Sequence, residues 1–367
     1  MAATTTTVAP APAPVPAEVE ADVPRQVGGR SLDETASLFG SFAAGIALGW
    51  LLHERLIATN GWIGWLVMSY GFSLLLYTVV SYLGNPATEV RDRLATVLIA
   101  TAAVIVMTVL ALLVGYTFWR GHEALAHMNF FTGDLSDAGP LDPLSKGGVV
   151  HAIAGTLFMI AIAVIITVPL GIGCAIYLTE VGGRGSRVVR TVVESMTALP
   201  SIVAGLFILV TVILYLGLPR SGLAAALAIS VMMLPIIARA SEVVLRVVPR
   251  ELREASFALG ASQWRTVWRV VLPTARPGLT TAVILGTARG LGETSPVLLT
   301  AGYTTYLNLN ATEGPMVSLP LLTFSLSRSP EEVEILRAFG AASILLAMVL
   351  IMFAVARAVV STNKGGR

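Results

Sequence analysis

The sequence predicts an all-α integral membrane protein with about eight transmembrane helices. Three observations carry that prediction. Hydrophobic residues make up 55% of the 367 positions and charged ones only 13%, where soluble chains carry about 25% charge. The apolar residues are gathered into long blocks separated by short polar breaks, an arrangement that only a lipid solvent favours. The basic residues are also spread unevenly among those breaks, as they are where cytosolic loops collect arginine and lysine.

In chain order, residues 1–36 read as a disordered tail. The stretch MAATTTTVAPAPAPVPAEVEADVP is rich in proline and alanine and cannot bury enough surface to offset the cost of ordering it. It lacks the basic start and apolar core of a signal peptide. A helix needs roughly 20 apolar residues to cross the hydrocarbon core. Eight segments qualify: 37–56, 62–83, 94–118, 152–178, 192–217, 221–238, 278–300 and 339–360. Pro200 predicts a bend early in the fifth, and the sixth is short and contains Pro235. The expected division is the tail, two additional helices over 37–83, a six-helix domain over 94–360, and a short tail over 361–367.

Orientation follows from charge. With the N-terminus in the cytosol, 17 of the 24 basic residues fall in cytosolic breaks and tails and six outside, while Arg289 lies within a helix. That ratio predicts both termini inside. Trp50, Trp62, Trp65 and Trp119 then all fall at the outer boundary, where indoles prefer to sit. Two outer breaks are long, 119–151 and 301–338, and one inner break is long, 239–277.

Several function classes drop out. A balance of 24 basic against 22 acidic side chains is not that of a nucleic-acid binder. The single cysteine, Cys174, allows no intrachain disulfide. His53, His122, His127 and His151 are scattered among outer breaks without metal-ligand spacing, so neither a metal site nor a catalytic constellation is expected. The chain has no G-x-x-x-x-G-K-[ST] phosphate loop, since GGRGSR at 182–187 lacks the lysine and the spacing.

The inner break from Arg246 to Arg276 reads as two short helices with a sharp corner. Pro249 suits a first helical position. Leu252, Ala255, Ser256 and Leu259 then share one face, and Gly260 can take the left-handed conformation that ends the helix. A second helix would carry Trp264, Val267, Trp268 and Val271, and Pro273 and Pro277 are expected to stop regular structure. Amphipathicity alone is equally consistent with a helix pair lying on lipid headgroups. The spacing Glu254-Ala255-Ser256, three residues, Gly260, nine residues, Val270-Val271-Leu272-Pro273 resembles the EAA loop of ABC importer permeases. Ser256 and Val270 depart mildly from the family's alanine and isoleucine. The resemblance implies that this elbow, through Glu254, Ala255, Gly260, Leu272 and Pro273, docks into a cleft on a separate ATP-hydrolysing subunit. ATP and magnesium would then bind that partner, with no cofactor on this chain.

The seventh segment differs from the others in carrying Arg289 and Glu293 midway, within ILGTARGLGETSPVLL. An arginine at the bilayer centre costs at least about 2.5–3.5 kcal/mol on insertion scales. The i, i+4 spacing lets the two neutralise each other, and Gly286, Gly290 and Gly292 allow a second helix to approach. The pair either fixes helix packing or lines a polar passage. The arginine fork suits an oxyanion, and a nearby glutamate can accept a hydrogen bond from a protonated one, as phosphate is at neutral pH.

A second resemblance covers roughly residues 94–360. The segments TALPSIVAGLF, PIIARASEVVLRVVPRELREASFALGASQWRTVWRVVLPTARPGL, ARGLGETSPVLLTAGYTTYL and SLPLLTFSLSRSP are similar to the A-type permease of the phosphate-specific (Pst) ABC importer family. The resemblance implies a type I core of six helices and a phosphate path through Arg289, Glu293, Thr294 and Ser295. It implies a bacterial plasma membrane location and, as partners, a C-type permease, two ATP-binding subunits and an external phosphate-binding protein. Alternatives are a permease for another oxyanion, sulfate or molybdate, and an ATP-independent anion transporter, which gives no reason for the EAA spacing.

Overall fold

The computed structural model describes residues 32–55 and 61–362, in which every regular element is helical. The proline-rich stretch before Leu32 and residues 363–367 lie outside the described residues. The chain divides into two compact units, residues 1–108 and 109–367.

The first unit contains α1 (Leu32–Arg55), α2 (Trp62–Gly84) and the start of α3 (Ala87–Leu125). Ser69, Ser73, Tyr77 and Ser81 recur every four residues on α2 and are its buried positions. Gly45 and Gly49 of α1 lie so close that an added Cβ would collide with Ser73 and Ser69 respectively. The pairing is antiparallel and depends on small side chains, which let two backbones approach in lipid where no hydrophobic drive exists between helices. Phe42 and Tyr70 meet edge-on beside it, 6.3 Å apart.

In the second unit, α3 ends at Leu125 and a single turn, α4 (Asn129–Thr132), precedes α5 (Val150–Ile176), which a π-helical turn extends to Val181. Then come α6 (Ser186–Thr197), α7 (Ser201–Ile208) with a π-helical extension to Tyr215, and α8 (Gly222–Val247). The elbow consists of α9 (Arg250–Ala258) and α10 (Gln263–Thr266). From α10 a π-helical stretch leads without interruption into α11 (Leu272–Leu291). The chain closes with α12 (Ser295–Thr300), α13 (Leu319–Leu326) and α14 (Glu332–Thr362).

Among the described residues, six helices are long and apolar enough to cross a membrane, and a seventh span results if α6 and α7 count as one. The run from α10 to α12 covers the expected seventh segment, 278–300. Leu272 and Ala275 join a cluster with Leu245 and Val248 at one end, while at the other Thr300 accepts a hydrogen bond from the Ser221 amide at 3.2 Å.

Three expectations need correction, and a fourth is borne out. The short sixth segment is in fact 26 residues long, runs through Pro235 and is the most buried span. Neighbours on every side hold it, so the one hydrogen bond lost at proline is tolerated. Ser221 caps it by accepting from the Ala224 amide at 3.3 Å. The bend expected at Pro200 is present and sharp: α6 and α7 meet at 108°, with Pro200 itself extended at ψ 141° just before α7. Pro273 and Pro277 do not stop the chain; both lie inside the continuous run that starts at Gln263, and Pro273 directly follows the π-helical stretch Val267–Val271, where the regular hydrogen-bond ladder is already interrupted. The segment 278–300 is not continuous but breaks between Leu291 and Ser295.

The two long outer breaks fold together. The Leu135 amide donates to Thr305 O at 2.9 Å, and the Leu307 amide to Asp134 Oδ2 at 3.0 Å. Hydrogen bonding from Ser136 holds the Asp134 carboxyl below its usual pKa, against the opposing effect of burial. Arg337, on α14, is 2% exposed. Its guanidinium donates to the carbonyls of Gly139, Asp142, Pro143 and Lys146 at 3.0–3.2 Å. Replacing it with Met leaves that turn without a donor. The expected cost is about 2–4 kcal/mol, read as a lower unfolding midpoint of the solubilised protein; an unchanged midpoint would show the turn to be self-supporting.

Candidate functional site

The break in the α11–α12 run is held by close helix contacts. A Cβ added at Gly286 would collide with Ile237 of α8, and one at Gly290 would lie 2.5 Å from Met233 Sδ. Gly292, expected to serve the same purpose, faces no neighbouring helix and instead caps α11. There the chain tightens, with the Gly292 amide on Arg289 O at 3.3 Å and the Glu293 amide on Gly290 O at 3.2 Å. Thr294 precedes α12 and Ser295 begins it, both half-buried.

Arg289 and Glu293 do pair, Nε to Oε1 at 2.9 Å, but unequally: the arginine side chain is 57% exposed and the glutamate 8%. Glu293 lines a cavity of about 10 Å³ with Thr156, Met159, Ile229 and Ser318, room for one water at most. The contact to the glutamate is through Nε, and the guanidinium carries two further terminal nitrogens on a side chain that is largely exposed. Those nitrogens form the planar two-donor edge that a tetrahedral oxyanion fits.

At the opposite end, Pro249 is the cap before α9 rather than its first residue. Gly260 takes the left-handed conformation, φ +76°. The Ala261 amide bonds Ser256 O at 3.1 Å and the Gly260 amide Phe257 O at 2.9 Å, the pair of bonds that closes a helix at a left-handed glycine. Ser256 turns inward, its Oγ 2.8 Å from Thr266 Oγ1, and so braces the two arms of the corner. Glu254 and Ala255 are exposed, as are Leu252, Phe257, Leu259, Trp264 and Trp268. Leu272 and Pro273 stand apart from this surface, at the root of α11 where Leu272 packs inward.

A family model, binding-protein-dependent transport system inner membrane component, matches residues 167–363. The chain belongs to that family. The phosphate transport system permease protein PstA 1 of Mycobacterium tuberculosis (strain H37Rv) is 41% identical over 71% of this chain and 84% of its own length. The PstA protein of Mycobacterium leprae is 39% identical over 71% and 86%. That of Xylella fastidiosa (strain Temecula1) is 36% identical over 60% and 78%. Among solved structures, the inward-facing MetNI methionine ABC transporter covers 59% of this chain and 94% of the matched chain at 21% identity and a TM-score of 0.44.

Every candidate site residue of this permease falls within the matched region, and the structure sorts them into two groups. Arg289, Glu293, Thr294 and Ser295 lie together at the helix break. Glu254, Ala255 and Gly260 lie together on the elbow. Two residues that join the elbow to the spans escaped the sequence reading. Arg253 of α9 reaches Glu180, at the end of α5, through Nη2–Oε1 at 2.7 Å. It also donates to Val248 O at 2.6 Å and Leu245 O at 3.0 Å. The Gln263 side chain adds a bond to Glu180 O. Glu180 is 73 positions away from Arg253, so no local pattern pairs them; the one available signal was an acidic residue ending an otherwise apolar segment.

Proposed function

We propose that this chain is the permease subunit of an ATP-driven inorganic phosphate importer in a bacterial plasma membrane, with both termini in the cytosol. The observation that carries the cargo reading is Arg289, a lone cationic fork at a helix break in a chain 41% identical to a phosphate permease. The proposed partners are a C-type permease, two ATP-binding subunits that hold ATP and magnesium, and an external phosphate-binding protein. The exposed, rigidly capped elbow supports docking to the ATPase, since its apolar side chains are left uncovered at a corner built to keep its shape.

The covalent route from elbow to passage is short. Gln263 to Leu291 is one helical run, about 40 Å long at 1.5 Å per residue, with the elbow's second arm at one end and Arg289 near the other. A displacement of the elbow by the ATPase is then a displacement of Arg289. Arg253 carries the same displacement to α5 and α8. Uptake of labelled phosphate by the reconstituted complex, with sulfate as competitor, tests the reading. Expected are ATP-dependent accumulation and little inhibition by excess sulfate, which carries no proton at neutral pH. Equal competition by sulfate would replace phosphate with a broader oxyanion class, and uptake without ATP would remove the importer.

A further inference from the structure

We propose that Glu242 is a positioning residue which, through Arg190, ties movement of the elbow to the far side of the helix break; the inference rests on the importer reading. Glu242 lies on α8 with its side chain 3% exposed and is shared among three guanidinium groups. Arg246 is 2.6 Å away, Arg190 2.7 Å and Arg239 3.4 Å. Arg239 also meets Glu194 at 3.2 Å. Arg190 and Glu194 belong to α6 and the rest to α8, so the cluster is an ionic clasp between those two helices.

Stability alone does not account for it. Removing a carboxylate from water costs several kcal/mol, and apolar residues of similar volume often hold such contacts as well or better. What an ion cluster adds is a contact with defined direction and register. Its placement gives that a use. One turn beyond Glu242, the Leu245 and Val248 carbonyls receive Arg253 of the elbow. Beyond the clasp, α6 leads through the 108° bend into α7. There a Cβ on Gly205 would lie 2.7 Å from Pro296 Cα, three residues past Glu293.

The elbow thus reaches both sides of the break. It drives Arg289 directly along α11, and α12 by way of Arg253, α8, the Glu242–Arg190 contact, α6 and α7. Moving the two sides together is what would open or close the Arg289–Glu293 pair. Each link is a packed helix or a short ion pair, the kind of contiguous element that carries coupling.

The test uses the full reconstituted complex with Arg190→Gln and Glu242→Gln. Arg190→Gln leaves Glu242 with two arginines, so it decides the matter if Glu242→Gln does not assemble. Phosphate moved per ATP hydrolysed is expected to fall about tenfold while hydrolysis continues, with partial recovery in Glu242→Asp. A purely structural role would lower the yield of complex and leave that ratio unchanged. A wild-type ratio in Arg190→Gln overturns the proposal.

A second readout is independent of cargo. Spin labels at positions 187 and 251, in a Cys174→Ser background, should report a nucleotide-dependent distance change that Arg190→Gln abolishes. A change that persists in the variant also overturns the proposal. A wild-type complex that moves no phosphate, yet shows the Arg190-dependent change, would sink the cargo reading and leave the tie standing.

Discussion

Arg289→Gln is expected to reduce phosphate uptake by about 100-fold or more, with the complex still assembled. The glutamine keeps polarity but removes the positive charge and the two-donor edge of an exposed guanidinium. It also strands Glu293, a buried carboxylate that pairs with Arg289, and a buried charge left alone is destabilising. The double variant Arg289→Gln, Glu293→Gln separates the causes, since it relieves the stranded charge without restoring the fork. It should assemble normally and still fail to transport. Arg289→Lys keeps the charge without the planar edge, so an intermediate rate is expected. Initial uptake rates in proteoliposomes decide, and wild-type transport by Arg289→Gln would remove this side chain from the path.

Gly260→Val is expected to disconnect ATP hydrolysis from transport while the protein still inserts. A Cβ at this position would meet open space, so crowding is not the obstacle. The obstacle is φ +76°, where a side chain costs about 1–2 kcal/mol and a β-branched one is an outlier. That is small against the packing of the spans but applies at a corner held by two amide bonds. The strain is relieved by opening the corner, which moves α9 relative to α10. Gly260→Asn is the control, because asparagine tolerates the left-handed region, and it should couple nearly normally. Stimulation of the ATPase by the loaded binding protein is the measurement. Val and Asn variants behaving alike would show that the backbone conformation of the corner is immaterial.

These two variants rest on features that the sequence made visible for different reasons. Gly260 was legible because helix termination at a left-handed glycine is local: the capping bonds join residues within five positions. Arg289 with Glu293 was legible because charge within an apolar block is rare, and their i, i+4 spacing allowed the observed pair without requiring it. What could not be read was which of the two would be exposed. That depends on Thr156, Ile229 and Ser318 closing around the carboxylate from distant parts of the chain. The expectations at Pro273 and Pro277 failed in a related way. Proline costs a helix a hydrogen bond everywhere, but whether the helix survives depends on its surroundings. Pro235 sits in the most enclosed span and Pro273 directly after a π-helical stretch, and both helices continue, whereas at Pro200 the chain turns sharply as expected.

The sequence by itself determined that this chain is helical and membrane-embedded, and that a sharp corner and two opposite charges within an apolar block exist. All of these follow from composition, periodicity and contacts a few residues apart. Only the tertiary structure decided how corner and ion pair are connected, through Arg253 with Glu180, Arg190 with Glu242 and Gly205 against Pro296. Those partners lie tens of residues apart, and a charge or a glycine carries no mark of its partner until the helices have packed.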